Sequence, residues 1–196
     1  MFASTEWDEC IWSKQAKGKS AFATVMSVSF WNGVTQCLKV FAPLVRVLRL
    51  VDGDKKPSMG FVYGELKIAK EEIKNALNNI ESNYRPILEI IDSKIEGRLD
   101  TPLHCIAYLL NPYYYYKDSN IEYDVKVMDA VFTVVEAFFP NDIDMQSTVI
   151  NEELTSYKAK EEAFGKEVGV KACRVSIDVF NPGKNKVFIR IILQNI

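Results

Sequence analysis

Phe30, Val34, Leu38, Phe41, Val45 and Leu48 succeed one another at steps of three or four residues, the spacing that puts side chains on one face of an α-helix. A chain carrying this row is expected to be helical around it and to bury the row as a core face. The surrounding apolar stretch, residues 21–51, is interrupted by Asn32, Gln36, Lys39, Arg46 and Arg49. These interruptions come too often for a bilayer span, which needs about 20 predominantly apolar residues. Pro43 has no amide hydrogen and clashes with the preceding turn, so a kink or break is expected near residues 40–43.

Val51-Asp52-Gly53-Asp54 reads as a stop, with glycine supplying a left-handed cap and aspartate capping the next helix. That second helix is expected over residues 57–80, with Met59, Val62, Leu66, Ala69, Ile73, Ala76 and Ile80 on one stripe. A third, residues 85–99, presents Ile87, Leu88, Ile91 and Ile95. Asp100-Thr101-Pro102 opens a fourth that stops at Asn111-Pro112. A fifth, residues 124–139, puts Val125, Met128, Phe132, Val135 and Phe139 in register, and a more polar sixth covers 142–164. Residues 166–175 add a short seventh. Only 187–193, Val-Phe-Ile-Arg-Ile-Ile-Leu, has the β-branched and aromatic content of a strand. The expected fold class is therefore mainly α, an antiparallel helical assembly with a short C-terminal strand. Its domains are 1–182, helical, and 183–196, a divergent apolar tail.

A chain of 196 residues with 48% hydrophobic content buries about two thirds of its unfolded surface in a single core. Twenty-four Lys plus Arg against 26 Asp plus Glu give a net charge of -2. No global positive field exists to neutralise phosphates, so any contact with nucleic acid must be local. Cys10, Cys37, Cys105 and Cys173 lie far apart and there is one histidine, a set that assembles no zinc finger. Charged residues in the first twenty positions leave no signal-peptide core. Reduced thiols and an intracellular location are expected.

Several groups bear on chemistry. The acidic pairs Glu71-Glu72, Glu152-Glu153 and Glu161-Glu162 read as solvated helix faces, and Asp52 with Asp54 and Asp142 with Asp144 as caps. His104 and Cys105 are adjacent, about 100° apart around a helix, and cannot form a nucleophile–base dyad with each other. Lys39, Arg46 and Arg49, at spacings of seven and three, share a helix surface and are candidate phosphate contacts. Tyr113 and Tyr114, in the run of four tyrosines at 113–116, are candidate platforms for unpaired bases. The alternative for the tyrosines is a helix end packing its rings inward with its hydroxyls wet. No glycine-rich phosphate loop is present, and the sequence indicates no cofactor, metal-ligand set or small-molecule ligand.

Leu44-Val-Arg-Val-Leu-Arg-Leu-Val-Asp-Gly-Asp-Lys-Lys-Pro-Ser-Met-Gly60 resembles the middle of a plant hAT-type DNA transposase. So do Pro102-Leu103-His104 and Leu110-Asn111-Pro112 with the tyrosines after it. The likeness extends from about Glu6-Trp7 through Phe30-Trp31-Asn32 and Cys37-Leu38-Lys39, across both blocks, to about Asn181-Pro182, most of the chain. The resemblance implies the helical insertion of a ribonuclease H-like catalytic domain. In that family the two catalytic aspartates precede this region and the catalytic glutamate and dimerisation segment come after it. None of their positions is matched here, nor is the family's zinc finger.

The resemblance thus implies a catalytically inactive hAT transposase remnant, at most a DNA-binding or interaction scaffold. Its implied partners are DNA, held weakly and salt-sensitively, and a full-length related transposase; its implied location is the nucleus, with no membrane association. The runner-up is a domesticated nuclear DNA-binding or protein-interaction protein derived from a transposase.

Overall fold

The computed structural model describes residues 2–52 and 59–161. Asp54, the expected segment 166–175, the strand-favouring run 187–193 and the domain boundary at 182 lie outside these residues. Among the described residues the chain is an all-helix bundle. Its elements are α1 (Thr5–Glu9), a 3-10 turn (Ile11–Lys14), α2 (Ala16–Val25), α3 (Val28–Val51), α4 (Met59–Ala76), α5 (Glu81–Ile95), α6 (Pro102–Leu109) and α7 (Pro112–Tyr115). A second 3-10 turn (Ile121–Tyr123), α8 (Val125–Phe138) and α9 (Ile143–Thr148) come next, and a π-helical turn (Val149–Glu153) leads into α10 (Leu154–Lys158).

Local chemistry explains most of the boundaries. Ser27 accepts from the Phe30 amide at 3.3 Å to start α3, and Asp124 and Asp142 accept from Val127 and Met145 to start α8 and α9. Pro102 and Pro112 occupy first-turn positions of α6 and α7, where the missing amide costs nothing. Helix α4 ends earlier than residue 80 because Asn78 and Asn79 adopt positive φ of 60° and 55°, left-handed conformations that asparagine tolerates. Helix α5 begins earlier than residue 85. It runs through Pro86, with Arg85 bridging Glu81 and Glu89 at 3.0 and 3.3 Å.

Helix α4 is the hub. One side carries Val62, Leu66 and Ala69 against Val47 and Leu44 of α3, and lower down Ile73 meets Ile91 of α5. The other side meets α6 and α7 at Gly60 and Gly64, one turn apart. A Cβ on Gly60 would stand 2.4 Å from the Ala107 carbonyl oxygen, and one on Gly64 would stand 2.3 Å from the Tyr114 ring. Phe61 packs on Tyr113 and Tyr114 with centroids 5.5 and 5.3 Å apart. Beyond α6, Val127, Val131, Val134 and Val135 of α8 and Tyr157 of α10 complete the largest core cluster.

Two expectations are corrected. Of the kink or break expected near residues 40–43, the break does not occur: helix α3 is continuous through Pro43, which is buried. More importantly, the row from Phe30 to Leu48 is not the core face. Leu38, Phe41 and Leu48 are about 60% exposed, and the covered residues are Val40, Pro43, Leu44, Val47 and Leu50. Both rows fit the helical period, because apolar residues occupy about 240° of the helix circumference at 3.6 residues per turn. Periodicity cannot say which row meets a partner; the position of α4 does. The same ambiguity turned α8, where Val125 and Phe132 lie in solvent and Val127, Ala130, Val131 and Val134 are buried.

Because α4 must lie directly on α6, Gly60→Ala is expected to destabilise by about 1–3 kcal/mol through overpacking, outweighing the ~1 kcal/mol gain in helix propensity. Gly33 has nothing within 4 Å of a built Cβ, so Gly33→Ala is expected to stabilise by up to about 1 kcal/mol. Urea unfolding midpoints of the two variants would show opposite shifts; equal shifts would mean that α4 and α6 are not in close approach.

Candidate functional site

Three places gather side chains that could do something. The first is a polar cleft of about 600 Å³ between α4, α5 and α8. Lys67 reaches Asp124 at 2.7 Å and Lys126 reaches Asp100 at 2.7 Å, while Lys70 pairs with Asp92. Every lysine of the cleft is therefore engaged by a carboxylate, and an incoming anion would have to displace one. Burial works to raise Asp124, but the hydrogen bond and charge of Lys67 prevail and hold it below the usual carboxylate value. Asp100 is likewise pulled down against its burial, by Lys126 and the Gly97 amide.

Beside the cleft, His104 and Cys105 sit buried on α6. His104 Nδ1 lies 2.7 Å from Thr101 Oγ1 within the first turn. Burial pushes the histidine down and the thiol up, so both are held neutral. An activated thiolate–imidazolium pair needs the reverse. Among the described residues no group of three His, Cys, Asp or Glu side chains is arranged to hold a metal ion.

The second place is the tyrosine cluster. Tyr114, 5% exposed, wedges against Gly64 and donates its hydroxyl to Glu65 Oε1 at 2.9 Å. Tyr115 is buried against Tyr157 with centroids 4.5 Å apart, and Tyr157 donates to the Leu109 carbonyl at 3.0 Å. Burial pushes the Tyr114 phenol far above its usual value. Of the two readings of Tyr114, the inward-packed one holds: its ring lies in the core against Phe61 and Tyr108, where it cannot serve as a base platform. Nor is its hydroxyl wet, since it is bonded within the protein. Tyr113 is half-buried, and Lys117 Nζ stands 3.4 Å from its ring centroid, so a base stacking there would compete with a cation already in place.

The third place is the open side of α3. With Ile87, Ile90 and Ile91 of α5, it forms a groove of about 660 Å³ lined almost entirely by carbon, in which Phe41, Leu44 and Leu48 are the facing wall. Ile90 is 62% exposed. Around the same helix, Lys39, Arg46 and Arg49 share the narrow polar strip, an arc of about 80° at 3.6 residues per turn. All three lie on the continuous helix α3, as their spacing requires. Arg46 is not a free cation, however: its Nη2 lies 2.8 Å from Glu72 Oε1 of α4.

No protein-family model, curated protein or solved structure matches the chain. The reading of the site therefore rests on its own geometry. Sequence reasoning missed Trp31 and Ile90 as parts of an exposed surface. The signal was available for one of them: Trp31, Val34, Leu38, Phe41, Val45 and Leu48 keep strict steps of three and four. That is the a/d pattern of a coiled-coil seam. Ile90 belongs to another helix, and nothing local to α5 marks it as a groove wall. Among the described residues no helix is long and apolar enough to cross a membrane.

The lowered Asp124 and Asp100 make an acid-sensitive contribution. Each carboxylate stabilises the fold above the ordinary value of 3.8 and loses that contribution as pH falls through its folded pKa. Asp124→Asn keeps an oxygen able to cap α8 but abolishes the charge facing Lys67. The variant is expected to lose about 0.2–1 kcal/mol at pH 7, as for a partly exposed pair. It should approach the parent below pH 3.8. A constant difference between pH 7 and pH 2.5 would show that the carboxylate charge contributes nothing.

Proposed function

We propose that this protein is a non-catalytic helical scaffold, descended from the helical insertion of a hAT-type transposase, that works by docking a protein partner along α3. One observation carries the docking reading. A 24-residue helix buries one apolar row in its own domain and leaves a second row, with Phe41 and Leu48 each 59% exposed, facing solvent. Contiguous apolar surface of this kind marks interaction sites on soluble proteins. Descent rests on the sequence blocks at 44–60, 102–104 and 110–116. Two of them coincide with parts on which the fold depends, Gly60 at the α4–α6 contact and Asn111-Pro112 at the turn into α7. A full-length related transposase is the partner that descent suggests, in the nucleus.

A second reading, a domesticated nuclear DNA-binding protein, is favoured by the clustering of Lys39, Arg46 and Arg49 on one strip. With at most three phosphate contacts, one of them competing with Glu72, such binding is weak and salt-dependent.

In the scaffold reading, duplex DNA binding is expected to weaken with a slope of log K against log salt no steeper than about -3, at ~0.9 per phosphate contact. Arg49→Ala is expected to reduce that slope by about one. Magnesium or manganese is expected to produce no strand cleavage of hairpin or transposon-end DNA. A complex stable in high salt would favour the DNA-binding reading, and reproducible cleavage abolished by Asp52→Ala would overturn the non-catalytic one.

A further inference from the structure

The open row of α3 has the composition of a self-pairing seam. Trp31, Leu38 and Val45 occupy a positions and Val34, Phe41 and Leu48 occupy d positions. No charged residue falls among them. The buried Pro43 and Val47 and the half-buried Val40 and Leu50 occupy c and f, on the opposite side. One helix thus carries two separate packing faces, and only one is used within the chain.

The preceding segment sharpens the point. Helices α1 and α2 contain no buried residue, and α3 buries none before Pro43. The aromatic contacts Trp7–Phe22 and Phe30–Trp31, at 6.4 and 5.2 Å, hold this arm together locally. Isolated helices of this length are marginal in water without a packed face. An arm of two short helices and the first half of α3 therefore calls for a partner along its apolar row.

We infer that the partner is a second copy of this chain, its α3 lying antiparallel along the first. Area supports a stable pair. Trp31, Leu38, Phe41, Leu48 and Ile90 are 53–62% exposed, and Phe30, Val45 and Val51 36–40%. With aromatic side chains of about 150–250 Å², this leaves roughly 800 Å² of apolar side chain open per copy, the area each partner contributes to a standard interface.

Direction is set by size. An antiparallel two-fold pairing sets Trp31 against Leu48, Val34 against Val45 and Leu38 against Phe41 of the partner's helix. It matches a with d throughout, and large with medium in two of the three pairs. Parallel pairing would oppose tryptophan to tryptophan and phenylalanine to phenylalanine. It would also bring the two Arg49 guanidinium groups to one level; the antiparallel arrangement sends them to opposite ends, each near the other copy's Phe30 and Trp31, where a cation is welcome. Lys39 and Arg46 stay on the strip away from the seam.

This inference rests on the docking reading of α3, and sedimentation equilibrium of the full chain separates the two. The expected result is a species of twice 22.3 kDa at micromolar concentration. Leu38→Glu should raise the dissociation constant by at least ~100-fold, because it closes an unpaired charge into the seam. The double variant Leu38→Glu/Phe41→Lys should recover at least ~10-fold, since only antiparallel pairing sets each Glu against a Lys of the other copy. Unchanged dimerisation in the single variant, or no recovery in the double, would overturn the antiparallel seam. A parent that stays monomeric at ~100 µM would overturn the dimer, and amide exchange then separates the readings. Rapid exchange along residues 28–40 would leave the scaffold reading standing with a different protein as partner; slow exchange there would mean that the chain covers its own row, and both would fall.

Discussion

Everything else in the bundle depends on how closely α4 approaches α6 and α7. Gly60 and Gly64 present bare backbone on one side of α4, and the Ala107 carbonyl and the Tyr114 ring fill the space that side chains would take. This contact fixes the level of α4 against the tyrosine cluster, and the cluster in turn anchors α8 and α10 through Tyr157 and its hydrogen bond to the Leu109 carbonyl. The opposite side of α4 carries Val62, Leu66, Ala69 and Ile73, which decides how α3 and α5 sit. Two glycines one turn apart thereby set the orientation of a 24-residue helix that they never touch.

That orientation produces the one unusual surface among the described residues. Helix α3 is apolar on most of its circumference, and α4 can cover only a strip of it. The uncovered remainder faces solvent beside α5, while the cations Lys39, Arg46 and Arg49 are confined to the narrow arc between. The polar cleft is a contrasting case. Its lysines and aspartates are matched pair by pair, and His104 and Cys105 beside it are kept neutral by burial. Ion pairing holds the lysines and aspartates, and burial sets the state of His104 and Cys105.

Much of the fold was legible in the chain. The cap at Asp142, the proline opening α6 and the helical periods of α4 and α8 are local signals, and each produced the element expected of it, whereas Pro112 reads as a stop and instead opens α7. What was not legible was rotation about the helix axis. The Phe30–Leu48 row and the Val40–Leu50 row are equally periodic, and choosing between them needs the location of α4, a long-range fact. The tyrosine run supports two readings for a related reason: an exposed platform and a buried wedge have the same composition, and Gly64, far away in sequence, creates the notch that receives Tyr114 and selects the inward packing. The legible part of the site was the co-location of Lys39, Arg46 and Arg49, since all three lie on one helix.

Side-chain accessibility along α3 tests the division of its two faces most directly. Hydroxyl-radical footprinting of the dilute protein, read residue by residue, should label Phe41 and Leu48 rapidly and leave Val47, Leu66 and Ile73 protected, with protection of Phe41 and Leu48 growing as concentration rises. Protection of Phe41 and Leu48 equal to that of Val47 at every dilution would contradict it, and would mean that the row from Phe30 to Leu48 is a core face of the single chain after all.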